Sequence, residues 1–400
     1  MPFEIVEEKR DGAVIKVMGV GGCGGNAVKH MIDKGVPGVD FIVANTDAQA
    51  LKNNAAPRRI ALGQQLTQGL GAGAKPEVGR DAAMESKVEL QEAIRGADML
   101  FITAGMGGGT GTGAAPVIAQ LAKEMGILVV AVVTKPFRFE MQRRERAATS
   151  GIEELQKYVD SLIVLPNEKL LQVLGRNVSV PAAFAASNDV LYSAVAGISD
   201  IINREGDVNR DFADVRTIMS ELGMAMMGTA TARGEGRGRM AAEAAIKSPL
   251  LEDMEIQGAR GVLLCITSSP DITLGELTDI TETVQEFIAP DATLLWGQSF
   301  DETMGDEVRV TMIATGLGAK RRMQAVQGGV AVQERVRIPR FLTGTDDTPA
   351  SRATVGDASV VALTSTGVDY DLPPHTRGMS SRSTTREALQ IPTFLRKQAD

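Results

Sequence analysis

Two glycine-rich runs and one acidic turn are the places where this chain could do chemistry. The first run, Gly19-Val20-Gly21-Gly22-Cys23-Gly24-Gly25-Asn26, follows directly on Ala13–Val20, which reads as a buried strand. The second, Gly105-Met106-Gly107-Gly108-Gly109-Thr110-Gly111-Thr112-Gly113, follows an apolar run at Met99–Thr103 and precedes a helical pattern at Ala114–Met125. Glycine lets the backbone approach a phosphate closely, and a helix N-terminus supplies free N–H groups and a positive dipole. Six glycines in nine residues of the second run cost too much chain entropy for a mere connection. Thr110 and Thr112 add hydroxyl donors. Two cradles at neighbouring strand ends suit a nucleoside di- or triphosphate gripped from both sides. Gly19, Gly21 and Gly24 alone also fit G-x-G-x-x-G, a weak signal shared with nicotinamide enzymes and compatible with a simple turn. No G-x-x-x-x-G-K-[ST] occurs, so this is not a P-loop. The acidic turn is Asn209, Asp211 and Asp214. Asn209 and Asp211 can cap a helix that starts near Phe212, with Asp214 in its first turn. Capping alone predicts a modest stability loss on substitution and no specific loss of activity.

The surrounding elements define an α/β protein. Phe41–Ala44, Leu128–Val133 and Ser161–Leu165 read as further strands with helical patterns between them. That alternation implies a Rossmann-like parallel sheet covered on both faces, with ligands at the carboxyl ends of its strands. A long apolar helical run spans Pro181–Asn203. A second, smaller α/β pattern follows, with strands at Gly261–Thr267, Ala292–Phe300 and Val308–Leu317 and a helix at Leu274–Ile288. The expected organisation is a flexible N-terminus (1–12), a nucleotide domain (13–180), a central helix (181–203), a second α/β domain (204–317), a variable linker (318–388) and a terminal peptide (389–400). Thr343–Thr385 is rich in Ser, Thr, Gly, Asp and Arg and reads as disordered chain.

Composition narrows the classes. Four hundred residues exceed one ordinary core, and 44% apolar content with 4% aromatics means cores of aliphatic residues and Met. A net charge of -8 argues against nucleic-acid binding. Cys23 and Cys265 make neither a disulfide framework nor a zinc site, and two histidines, His30 and His375, argue against a histidine metal centre. A reduced cytoplasm fits. No apolar run reaches the ~18–20 residues of a membrane span, so no direct membrane insertion is expected, and the acidic start lacks a signal peptide's pattern.

GGGTGTG at Gly107–Gly113 resembles the signature of the tubulin and FtsZ family. The surroundings agree from about Ala13 to Leu317. GVGGCGGNAV at Gly19–Val28 is similar to the family's first nucleotide loop, with Cys23 where many members carry glycine. Asn45-Thr46-Asp47 and GLGAGAKPEVG at Gly69–Gly79 resemble the next two loops. VNRDFADVRTIMSELGMAMMG at Val208–Gly228 resembles the catalytic loop and the helix after it, with Arg210 where an apolar residue is usual. LQIPTFLRKQAD at Leu389–Asp400 resembles the family's tail peptide.

The resemblance implies a GTP/GDP site. Amides of Gly21, Gly22, Gly108, Gly109 and Thr110 would hold phosphates, and Ala72 and Gly73 would close over the terminal one. Thr134, Glu140 and Arg144 would meet ribose or phosphate; Asn26, Asn167, Phe184 and Asp189 would form the base pocket, with Asp189 reading guanine's paired donors. Gly24, Gly25, Asn45, Gly105, Gly107, Gly111, Thr112, Gly113 and Asn188 belong to the same implied site. Asn209, Asp211 and Asp214 would enter the site of the next subunit in a head-to-tail filament. Mg²⁺ would be held mainly through the nucleotide, with no protein metal site. Leu389, Ile391, Pro392, Phe394, Leu395, Arg396 and Lys397 would dock membrane-attached adaptors and division regulators, placing a cytoplasmic GTPase in the cytokinetic ring at mid-cell, under the inner membrane. Two rivals stand beside it. A nicotinamide oxidoreductase leaves the second glycine run unexplained. A nucleotide-binding scaffold that assembles without hydrolysis is opposed by the presence of Asp211 and Asp214.

Overall fold

Strands that are apolar on both sides need cover on both faces, and the sheet of this protein has it. The computed structural model describes residues 12–175, 177–203, 211–221, 224–251 and 258–317. They all fall in one compact unit; a second unit, 328–389, lies outside the described residues. So do Asn209, Arg210, the expected linker and the terminal peptide. The strands are β1 (Ile15–Val20), β2 (Val39–Asn45), β3 (Arg58–Ala61), β4 (Met99–Gly105), β5 (Leu128–Lys135), β6 (Ser161–Pro166), β7 (Met224–Arg233), β8 (Gly261–Ser268), β9 (Thr293–Phe300) and β10 (Glu307–Leu317). They form one sheet in the order β3-β2-β1-β4-β5-β6-β7-β10-β8-β9. Strands β3 to β7 in that order are parallel, and β10 runs antiparallel between β7 and β8.

The helices are α1 (Gly21–Lys34), α2 (Ala48–Lys52), α3 (Gln64–Thr67), α4 (Pro76–Glu85), α5 (Lys87–Ile94), α6 (Thr110–Glu124), α7 (Gln142–Leu155), α8 (Asn167–Leu174), α9 (Val180–Asn203), α10 (Phe212–Met219), α11 (Arg237–Ile246) and α12 (Leu274–Gln285). Side chains alternate across the strands. Val17 and Phe101 face the core built with α1, α9 and α10; Met18 and Ile102 face the core built with α4 to α7. A third cluster packs α11 and α12 on β7, β8 and β10.

The two α/β regions expected from sequence share this sheet. Strand β6 meets β7 over two residue pairs, Leu162 with Met224 and Ile163 with Ala225. The central helix α9 is apolar nearly all round, with 14 of its 24 residues buried, because its core joins β1, β4 and β5 to β8 and β10. Strand β7 departs from the reading of Val208–Gly228 as loop and helix. Helix α10 stops at Met219, and from Met224 the chain is strand, with Ala225 and Met227 entering one core and Met226 the other. Met and Ala are good helix formers as residue types, and burial of both faces of β7 in two cores overrides that preference.

Candidate active site

Strands β1, β4, β5 and β6 end in register: Val20 lies beside Ala104, Ala104 beside Val133, and Thr134 beside Leu165. Above those ends opens a cleft of about 370 Å³, within the range of small-molecule sites. Both glycine runs were expected as loops ahead of their helices. Instead α1 begins at Gly21 and α6 at Thr110, so much of each run is the first turn of a helix aimed at the cleft.

The glycines divide into two groups. A Cβ at Gly22 or Gly108 would meet nothing within 4 Å, so these two leave open the space a phosphate would fill. A Cβ at Gly24 would lie 2.3 Å from the Thr103 carbonyl, and at Gly113 1.9 Å from that of Pro76. Those two are needed for close packing of helix on sheet and of α6 on α4. Gly21 and Gly107 have φ of 74° and 103°, which only glycine adopts freely. The hydroxyl of Thr112 accepts from the Gly107 amide at 2.8 Å, and that of Thr110 bonds that of Thr46 at 2.7 Å. These threonines therefore brace the cradle. Gly21, Gly105, Gly109, Thr110 and Gly111 line the cleft; Gly24, Gly25, Gly107, Thr112 and Gly113 are outside its lining.

The loop after β2 is tied to the same end. Gly71 donates its amide to the Thr46 carbonyl at 3.1 Å, and Ala72 lies against Gly109. Ala72, Gly73 and Asn45 stand outside the cleft lining, and Asn45 accepts from the Asp47 amide at 3.3 Å. Asp47 caps α2 by accepting from Gln49 and Ala50 amides.

Asn26 faces the cleft from α1, and Thr134, Glu140, Arg144, Asn167, Phe184 and Asn188 face it from the other side. Glu140 is already engaged: it accepts from Arg144 at 2.5 Å and from the Phe137 amide at 3.0 Å. Asn167 accepts from the Ser187 hydroxyl at 2.9 Å, leaving its NH₂ for a ligand. Phe184 is set by edge contact with Phe137 at 5.4 Å. Met106 and Cys23, inside the two glycine runs, also line the space, as does Pro136, which carries no chemical signal that would place it there. Burial pushes the Cys23 thiol up, which opposes a reactive thiolate at this helix start.

Asp189 does not line the cleft. Its carboxylate accepts from His30 at 2.8 Å and Lys34 at 2.5 Å, both on α1. Adjacent helical residues point about 100° apart, so Asn188 takes the cleft-facing position.

Asp211 and Asp214 are exposed, and both lie away from the cleft. Asp211 holds the N-cap position of α10 without a side-chain capping hydrogen bond. Arg216, on the next turn, donates to the carbonyl of Gly126 at 3.4 Å, in the turn that leads into the amino end of β5. Helix α10 also precedes β7, which runs parallel to β6. The acidic helix start therefore sits at the amino end of the sheet and the cleft at its carboxyl end. Among the described residues no cluster of His, Cys, Asp and Glu could hold a metal ion, and no helix is long and apolar enough to cross a membrane.

A two-sided glycine cradle at the carboxyl ends of a parallel sheet defines a nucleotide-binding α/β protein. Residues 14–175 match the tubulin/FtsZ family GTPase domain, and residues 223–318 the FtsZ family C-terminal domain. The chain is 52% identical to the cell division protein FtsZ of Pseudomonas aeruginosa over the full length of both. It is 56% identical to that of Coxiella burnetii over 79% of this chain and 82% of that one. An FtsZ dimer from M. jannaschii is 41% identical with a TM-score of 0.75, covering 78% of this chain and 90% of that one. A GTPγS-bound CetZ2 protofilament from Haloferax volcanii, 19% identical with a TM-score of 0.65 over 78% and 98% of the two chains, shares the fold. The chain belongs to the tubulin/FtsZ family, and its first domain is a GTPase domain.

Proposed function

We propose that this chain is a cell-division GTPase that polymerises head to tail, with each site completed by the α10 end of the next subunit. The observation that carries this reading is the separation of the cleft from Asp211 and Asp214 by the length of the parallel sheet. Among the described residues, Glu140 is the only carboxylate lining the cleft, and its oxygens are already engaged. Among the described residues, a subunit by itself thus has a phosphate cradle without a free carboxylate to orient water. Stacking one subunit's amino pole on the next one's carboxyl pole supplies two exposed carboxylates, Asp211 and Asp214. Such a heterologous contact propagates into an open filament. Asn209, beside them in sequence, is assigned to the same contact.

In the assembled site the amides around Gly22 and Gly108 bind the phosphates and stabilise charge on them. Asp211 and Asp214 accept hydrogen bonds from the attacking water and hold it in line. Phosphoryl transfer to water asks for little beyond positioning and charge stabilisation. Mg²⁺ would ride on the phosphates. Asn167, Asn188 and Asn26 offer amide donors and acceptors to the guanine edge, with Phe184 against the ring. This moves the base-reading role from Asp189 to Asn188.

Turnover per subunit should be near zero at low protein concentration and rise steeply above a threshold that coincides with the onset of light scattering. Turnover per subunit that is independent of concentration would show a site complete within one chain.

The tail residues Leu389, Ile391, Pro392, Phe394 and Leu395, with Arg396 and Lys397, are proposed to dock membrane-attached adaptors and so bring the filament to the division site under the inner membrane. Removal of 390–400 should leave turnover and filament formation within about twofold of the full chain and abolish recruitment to adaptor-coated vesicles. Loss of turnover or thermal stability on truncation would make the peptide part of the fold.

A further inference from the structure

We infer that Asp189 is a positioning residue that clamps α1 to α9 and thereby sets the spacing of the two walls at the base-binding end of the cleft. The inference rests on the nucleotide reading of that cleft. Residues 22, 26, 30 and 34 of α1 recur every four positions and form one stripe on the helix. The first two, Gly22 and Asn26, line the cleft. The last two, His30 and Lys34, converge on one oxygen of Asp189 at 2.8 and 2.5 Å. On α9, Phe184 and Asn188 line the cleft, and Asp189 follows immediately on the face toward α1. Lys34 Nζ also lies 5.1 Å from the Tyr192 ring centre, one turn further along α9. The clamp therefore continues, helix to helix, the same two surfaces that form the cleft walls.

Asp189 is only 6% exposed. A carboxylate this buried is costly unless paired, so its two donors fix the relative placement of the helices firmly. Asn26 and Asn188 read a base through short, directional hydrogen bonds. A small shift of α9 against α1 would spoil those bonds while leaving the phosphate cradle, built on the starts of α1 and α6 and containing no residue of α9, in place.

The test measures equilibrium binding of GTP, ATP and inorganic triphosphate to the full chain carrying Asp189→Ala, Lys34→Met or both, with His30→Gln and Lys34→Arg alongside. Asp189→Ala and Lys34→Met should each raise the Kd for GTP about tenfold, the scale of one buried charge-assisted hydrogen bond. They should narrow the preference for GTP over ATP and leave triphosphate binding unchanged. The double variant should be no weaker than Asp189→Ala alone, and Lys34→Arg should retain near-normal affinity. Lys34 is partly exposed, so its variant reports even if Asp189→Ala fails to fold. The clamp is overturned if Lys34→Met and His30→Gln bind GTP normally while Asp189→Ala does not, since Asp189 would then touch the base itself. It is also overturned if triphosphate binding weakens in parallel, which would mean general loosening. Failure of the unmutated chain to bind GTP would instead overturn the nucleotide reading.

Discussion

Asp214→Ala should lower GTP turnover in assembled protein by about two to three orders of magnitude, the scale of losing one preorganised group at a developing charge. GTP binding and filament formation should persist. The dissociation between turnover and binding follows from position: Asp214 lies in the first turn of α10, at the pole opposite the cleft of its own chain. The stability cost should be small, because an exposed first-turn carboxylate contributes about 0.3–1 kcal/mol through the helix dipole. Asp211→Ala should cost less stability than an ordinary N-cap loss of about 1 kcal/mol, since its side chain makes no capping hydrogen bond. A role in capping alone requires the reverse pattern, with stability falling and turnover surviving. Turnover by purified variants, beside their melting curves, separates the two.

Gly108→Ala and Gly113→Ala should fail in opposite ways, although they are five residues apart in one run. At Gly108 a methyl group enters open space. The fold should keep its melting temperature, and GTP affinity should drop by about a hundredfold or more, because the methyl takes phosphate space and displaces amide contacts of about 1.5–3 kcal/mol each. At Gly113 the methyl would stand 1.9 Å from a backbone carbonyl of α4. Backbone cannot rotate aside, so α4 and α6 must part, at about 1–3 kcal/mol or more. Melting temperature should fall before any question of nucleotide arises. Isothermal binding and thermal melting of the two variants measure both effects; equal behaviour would mean that the division of the glycines into cleft and packing groups is wrong.

Most of the sheet can be read from the chain. Strands β1, β2, β4, β5, β6, β8, β9 and β10 lie within three residues of where their apolar runs place them, because strands covered on both faces have little polar surface to confuse the signal. Four-residue β3, with exposed Arg58 and Arg59, offers no such run. The helical starts of α1 and α6 were hidden by glycine, which disfavours helix in isolation; close packing against Thr103 and Pro76 overrides that preference. The residue types of the site were legible, but directions were not. Asp189 and Asn188 are neighbours, and only the helix's rotation decides which one sees the cleft. No spacing rule could pair His30 with a carboxylate 159 residues away.

Mixing two inactive chains tests the shared site most directly. Asp214→Ala keeps its cradle and lacks the incoming carboxylate; Gly108→Ala lacks the cradle and keeps the carboxylate. Each alone should hydrolyse little GTP. Combined at equal concentration above the assembly threshold, they should regain turnover, because the α10 end of a Gly108→Ala subunit can complete the cleft of an Asp214→Ala subunit. Activity that stays at the level of the separate variants at every ratio, while co-assembly is confirmed by sedimentation, would contradict a site built from two subunits.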